Sequence, residues 1–384
     1  MTTFGPILVP DAIRDAVSDE SWLAAMLDAE RALANAEGRV GAIPAEATAA
    51  ISAQCEPGGF DLAAILEQGR TVGNPAEPLV RALRERVGEP HARWVHFGAT
   101  SQDVVDTAAM LVARRACALT CDELDAVAAA CARLAEEHRG TPMAARTLLQ
   151  QAVPTTFGAK AAGWLLGVVV PRDRLRGFRF HAQLGGAGGT LAPLGARGPE
   201  VRAAFAAELD LDAPALPWHA SRGPLAALAA LLDASAQACA KIGLDVVLLA
   251  QTEVGEVAEA EGGGSSTLPH KRNPVRAVRA RACARLVHAN AGVLAEGGHE
   301  HERAAGAWQA EWTALSEALA HAGGAAAAIR ECLEGLEVFP ERMRGNMTPE
   351  LYSERERLGL DDPEYLGSAT AFVDAALARL REGA

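Results

Sequence analysis

Long parts of this chain carry apolar residues without the interruptions that end helices. No Gly or Pro lies between Gly98 and Gly140, which leaves room for one helix of about 60 Å at 1.5 Å per residue. A second stretch, Leu225 to Leu268, has no Pro, and a third opens at Pro274 and meets no further Pro until Pro340. Pro274 suits the first position of a helix, with Asn273 as its cap. A fourth helical stretch is expected from about Thr155 to His181, kinked at Pro171. Trp22, Met26, Ala29 and Leu33 fall at i, i+4, i+7 and i+11 and mark one amphipathic helix. No strand-like alternation of any length appears. The chain reads as nearly all α, with several very long helices side by side.

The apolar content of these helices is spread around the circumference. Small residues recur there: Ala128, Ala129, Ala130 and Ala132 in one, Ala226, Ala227, Ala229 and Ala230 in another. Such faces let helices approach on more than one side, so a bundle that associates with copies of itself is expected. A monomeric helical array is the plainer alternative, but no repeat of fixed period appears. The expected organisation is a small N-terminal helical domain over 1–98, a central long-helix bundle over 99–338 and a short C-terminal helical domain over 339–384.

Composition narrows the function classes. The net charge is −13, from 36 Lys+Arg against 49 Asp+Glu, which argues against a nucleic-acid partner. A small anionic substrate needs only a few local cations and stays open. The run from Ala161 to Pro171 is too short to span a bilayer, and the start Met1-Thr2-Thr3-Phe4 has no basic segment followed by an apolar one. The seven cysteines include no CxxC pair and read as reduced core residues of a cytoplasmic protein. Only three lysines occur, Lys160, Lys241 and Lys271. A lysine kept against such a bias toward Arg hints at a position that needs a compact ammonium.

Three polar segments stand out. His96-Phe97-Gly98-Ala99-Thr100-Ser101-Gln102-Asp103 ends a loop and opens the longest helix. Thr100 or Ser101 can cap that helix, and the amides and hydroxyls at its positive end can hold a carboxylate. Arg146-Thr147-Leu148-Leu149-Gln150-Gln151 precedes Val153-Pro154; alone it reads as a polar loop. Gly262 to Pro274 strings three glycines, Ser265, Ser266, Lys271 and Asn273 before a helix. The glycines give a closable loop, and the cation and amide beside a hydroxyl can stabilise a carboxylate and the charge that grows when its α-carbon loses a proton.

Other readings fail. Gly185-Gly186-Ala187-Gly188-Gly189 lacks the last glycine of a dinucleotide fingerprint. There is no phosphate loop and no GxSxG elbow. His299 and His301 sit i, i+2 and would point to different helix faces, so no metal site is expected.

Together the segments resemble the fumarase/aspartase superfamily, whose signature is a glycine-serine loop ending in Lys-x-Asn-Pro. The text from Trp94 to Thr107, from Pro154 to Trp164, and around Glu300 to Arg303 and Trp308 to Trp312 is similar to the bacterial carboxymuconate cycloisomerase family. The resemblance runs from about Asp28 to Leu377. It implies an all-α, fumarase-like fold and a homotetramer whose central helices form a multi-subunit bundle. Each active site would be shared by three subunits, and no cofactor is implied. The implied reaction interconverts 3-carboxymuconate and 4-carboxymuconolactone. A carboxylate adds across a double bond and a proton is placed α to another carboxylate.

By that match Ser265 carries the α-carbon proton, with Ser266 next in line. Lys271 and Asn273 hold the carboxylate that becomes enolate-like. Thr100 and Ser101 hold another, with His96 beside them. Thr147, Gln150 and Gln151 complete the pocket, and Arg303 is a further candidate.

Three departures matter. Many relatives carry a histidine in the second segment, where this chain has Leu148 and Gln151; a carboxylate leaving group needs less protonation than an amine, which fits a cycloisomerase better than a lyase. Trp218-His219 is followed by Ala220-Ser221-Arg222-Gly223 where relatives show Thr-Gln-Arg-Asp. Between Arg342–Asn346 and Pro363–Gly367, the helical region of relatives is largely gone. A lyase of the same superfamily and a non-catalytic structural relative are the alternatives.

Overall fold

The breaker-free stretch forms the helix Ser101–Glu137, 37 residues long. Every residue from Gln102 to Ala113 in it is buried, so at this end the helix is covered on all sides, as its unstriped apolar pattern demands. The computed structural model describes residues 4–382 apart from 261–262, 265–267 and 269–270. Ser265 and Ser266 therefore lie outside the described residues.

Around this axis pack Phe157–Arg176 and Ala307–Glu334, and Gly223–Leu249 and Val275–Leu294 complete the bundle. The Asp19–Val40 helix lies against the Ser101–Glu137 helix and against Gly198–Glu208. Its Ser18 accepts from Ser21 N–H as an N-cap, and Gly41 closes the other end in the left-handed region. Past Val338, Pro340–Gly345 packs on the strand Pro142–Thr147, and Ala369–Glu382 packs on Phe157–Arg176.

Several expectations need correction. The fourth helix starts at Phe157 and ends at Arg176, short of His181, with Pro171 inside it. The stretch after Leu225 stops being helical at Leu249. The stretch after Pro274 breaks between Leu294 and Ala307, where Gly297, Gly298 and Gly306 cluster and His301 sits at φ 44°. The helix after the glycine-serine loop begins at Val275, and Asn273 does not cap it. Two amides of its first turn, Arg276 and Ala277 N–H, donate to Glu259 instead, at 3.1 and 2.8 Å. Glu259 ends a short strand and can deliver a full negative charge to the helix start.

Strands exist despite the absence of alternation. Pro142–Thr147 pairs antiparallel with Gln150–Thr156, and Val257–Glu259 with Leu336–Val338. The second pair is three residues per strand, too short to show a period. The first is a tight hairpin whose two turn residues, Leu148 and Leu149, both take positive φ (51° and 64°). Two-residue hairpins want that geometry and normally signal it with Asn-Gly; a Leu-Leu turn carries no such mark.

Gly223–Leu249 is apolar and long enough to cross a bilayer by composition, yet it packs along three helices of the bundle and pairs Lys241 with Asp245 at 2.5 Å.

Candidate active site

The first segment is built as a fixed collar at the start of the longest helix. Thr100 stands at the N-cap position and its N–H donates to the Asp103 carboxylate at 3.0 Å. Asp103 is buried and also accepts from Gly185 N–H at 2.8 Å, Gly186 N–H at 2.9 Å and His219 Nε2 at 2.6 Å. The glycine-rich stretch that fails as a dinucleotide fingerprint thus wraps a carboxylate. Gly186 sits at φ 70°, and a Cβ there would meet the Gly98 carbonyl oxygen at 2.6 Å, so glycine is required at 186 for the loops to touch. Thr100 and Ser101 remain half-buried at this rim.

Beneath the collar lies a buried ion network. Arg222, almost wholly enclosed, donates to Asp106 through Nη1 and Nη2 at 2.7 and 3.0 Å, and to Glu311 through Nη2 and Nε at 2.6 and 3.0 Å. Trp308 Nε1, Gln102 and Gln183 also donate to Asp106. The Trp218 ring lies 4.6 Å from the guanidinium. A charge this buried needs such company. The altered Trp218–Gly223 segment therefore keeps its arginine as a strut. Arg303, expected to bind substrate, donates to Gln102 Oε1 at 3.0 Å and to the Gly186 and Ala187 carbonyls at 3.3 and 2.9 Å. It is half-buried at the collar's edge and shares the neighbourhood of Thr100 and Ser101.

His96 precedes the collar at φ 62°. Its Nδ1 lies 2.5 Å from Glu30 Oε1, on the Asp19–Val40 helix. Burial opposes a charge on this ring, but attraction and hydrogen bonding to Glu30, with Asp103 adding to them, outweigh it and hold its pKa above the ordinary histidine value.

The second segment is held elsewhere. Thr147 and Gln150 face each other across the hairpin turn, both exposed, with Leu148 at the tip 97% exposed. Gln151 uses its amide N–H₂ on the Asn346 carbonyl at 2.8 Å. Arg146 makes a two-point contact with buried Glu256 at 2.6 and 2.9 Å, and Asn346 donates to the same carboxylate at 2.9 Å. The hairpin is thus anchored to the chain's C-terminal part.

In the third segment the described residues form the loop's neck. Gly263 and Asn273 exchange two backbone hydrogen bonds of 3.0 Å, and Asn273 Nδ2 donates to the Gly263 carbonyl at 3.1 Å. Lys271 is exposed, with its N–H on the Leu268 carbonyl. The other two lysines are tied to one carboxylate: Lys241 at 2.5 Å and Lys160 at 4.0 Å from Asp245, which also accepts from Trp164. Burial pulls the Lys160 pKa down.

Within one chain, then, the structure brings Thr100, Ser101 and Arg303 into one neighbourhood and seats His96 just ahead of it. The Thr147–Gln151 turn and the Gly263–Asn273 neck are held by other parts of the chain. Glu30, Asp106, Arg222 and Glu311 were not singled out from the sequence as site residues. The available signal was the presence of two acids, at 103 and 106, close together at the start of the longest helix. Among the described residues no cluster of His, Cys, Asp and Glu could hold a metal ion.

Comparison with known proteins gives the context. A family model described as Lyase matches residues 9–288. A 3-carboxy-cis,cis-muconate cycloisomerase of Bradyrhizobium diazoefficiens is 42% identical over 96% of this chain and 87% of its own length. A nitrosuccinate lyase of Streptomyces davaonensis is 46% identical over 89% of this chain and 76% of its own. The crystal structure of the 3-carboxy-cis,cis-muconate lactonizing enzyme of Pseudomonas putida superposes with a TM-score of 0.91, at 35% identity, over 99% of both chains. The chain belongs to the fumarase/aspartase superfamily of lyases.

Proposed function

We propose that the protein is a cycloisomerase that interconverts 3-carboxy-cis,cis-muconate and 4-carboxymuconolactone. In the lactonising direction a substrate carboxylate oxygen bonds to an alkene carbon, and the neighbouring carbon, α to a second carboxylate, gains a proton from Ser265. In reverse, a Ser265 alkoxide removes that proton and the ring carboxylate leaves. Lys271 and Asn273 hold the carboxylate whose α-carbon carries the transient negative charge, which is where preorganised donors are worth most. Thr100 and Ser101 hold another carboxylate at the helix start. Thr147, Gln150 and Gln151 close the pocket.

The observation that carries this reading is the second segment. The hairpin tip presents Leu148, and Gln151 is bonded to the chain's own backbone, so no general acid stands there. A leaving carboxylate is a weak base and departs without one. The same observation also suits loss of nitrite from nitrosuccinate, and the 46% identity to a nitrosuccinate lyase favours that as the second reading.

The working form in this proposal is a cytoplasmic homotetramer without cofactor or nucleic-acid partner, each site drawing one segment from each of three subunits. The separate anchoring of the segments supports it, as do exposed Leu166, Val170, Leu244, Val278 and Val293 along the central helices, apolar faces of the kind neighbouring copies cover.

An ultraviolet assay run in parallel on 3-carboxymuconate, nitrosuccinate, adenylosuccinate and argininosuccinate tests the reading. Turnover of carboxymuconate well above the rest is expected. Turnover of nitrosuccinate alone selects the second reading, and turnover of none contradicts both.

A further inference from the structure

The Asp19–Val40 helix buries two carboxylates on one face, Glu30 and Glu37, seven residues apart. Glu30 is 1% exposed; its Oε1 meets His96 Nδ1 and its Oε2 has no partner. Glu37 is fully enclosed and neither of its oxygens is paired. Burial, with the charge of Glu30 adding to it, pushes Glu37 up to about 9.

His96 itself is in an unusual state. A non-glycine residue in the left-handed region costs on the order of 1 kcal/mol and persists where its surroundings fix it. Glycine would take this backbone freely, so the imidazole is there for its side chain. The charged groups that face it are Glu30, Asp103 at the start of the long helix, and Arg84, whose guanidinium donates to the Val95 carbonyl at 3.1 Å. Of these only Glu30 touches the ring.

We propose that Glu30 is the positioning residue of His96: its buried carboxylate accepts the Nδ1–H bond, fixes ring orientation and favours the doubly protonated ring, whose Nε2–H is the donor offered to a substrate carboxylate at Thr100 and Ser101. The inference rests on the functional reading above. It assigns to the small N-terminal helices a direct part in the site, carried from a residue 66 positions away in the chain. An imidazolium with one N–H held by a carboxylate has its other N–H fixed in direction, which makes the histidine a single-faced donor.

The test uses the full-length enzyme, labelled with ¹³C at histidine Cε1, with His96→Gln identifying the His96 signal. Glu30→Gln is expected to move the His96 titration down toward that of an ordinary histidine and to lower kcat/KM about 10- to 100-fold, the scale of losing a partner that orients an imidazole. In a His96→Gln background the same change should cost no further activity. An unmoved His96 titration, or an equal loss in the His96→Gln background, overturns the proposal. If Glu30→Gln does not fold, the wild-type titration decides: a midpoint at or below the ordinary histidine value contradicts the pairing, and one above it supports the pairing. A protein that shows the coupling but turns over nitrosuccinate in place of carboxymuconate faults the substrate assignment alone, and the kinetic arm is then read on nitrosuccinate.

Discussion

Arg222 and Asp106 meet as a two-point ion pair, 2.7 and 3.0 Å, at a depth where both side chains are almost wholly enclosed. They are 116 residues apart in the chain. The pair ties the start of the longest helix to the loop before Gly223–Leu249, and Glu311 extends the tie to Ala307–Glu334. Ser101 opens the first of these helices, Thr100 stands at its cap, and Arg303 lies in the segment just before Ala307–Glu334.

Breaking this pair should be costly. Arg222→Met leaves two buried acids without their cation, and the loss of a buried partner typically costs about 3–5 kcal/mol. Chemical denaturation should show a destabilisation of that order. Arg179→Ala, which removes an exposed pair with Asp212, should shift the curve little. Equal effects of the two changes would show that the interior network is not what holds the collar.

Glu37 makes stability depend on pH with a definite sign. Its folded pKa, about 9, lies above the ordinary glutamate value, so between those limits the folded state holds a proton that the unfolded chain releases. Stability therefore falls as pH rises through that window, by up to about 1.4 kcal/mol per pH unit. Glu37→Gln removes this slope and should raise stability most near pH 9. Denaturation midpoints at pH 5, 7 and 9 for both proteins check it; parallel pH profiles would contradict it.

The neck of the glycine-serine loop needs glycine at 263. A Cβ there would lie 2.2 Å from Val275 Cγ2. Gly263→Ala should disturb loop closure and lower kcat by about tenfold to a hundredfold, since small misplacements at a site are expensive. Adding Val275→Ala should recover most of that loss. Full activity in the single variant would mean the neck does not govern the loop.

Much of this architecture is legible in the sequence because the 37-residue helix announces itself by what it lacks, Gly and Pro between Gly98 and Gly140. The collar residues Thr100, Ser101 and Asp103 are also legible, since a cap and an acid three residues on leave a local mark. The hairpin is not, because Leu148 and Leu149 take positive φ without a glycine or asparagine to show it. Asn273 misleads for a related reason: it stands where a cap belongs, but Glu259, brought in by a strand, reaches the helix amides first. The pairings Asp103–His219, Arg222–Glu311 and Glu30–His96 join residues 66 to 116 apart. No periodicity records a contact made only when the elements pack.

Lys271→Arg should be damaging although it keeps the charge. A planar fork cannot take the place of a compact ammonium against one carboxylate. The KM for the preferred acid is expected to rise and kcat to fall. An Arg variant with wild-type kinetics would remove Lys271 from the proposed carboxylate site.

The central claim is serine-mediated proton transfer next to a carboxylate in carboxymuconate lactonisation. It is tested most directly by following the loss of carboxymuconate absorbance with the wild-type enzyme and with Ser265→Ala side by side. The expected result is turnover by the wild type and a loss of at least about a hundredfold in kcat in the variant, the scale of a missing acid–base group. A Ser265→Ala enzyme that works at nearly the wild-type rate would contradict it.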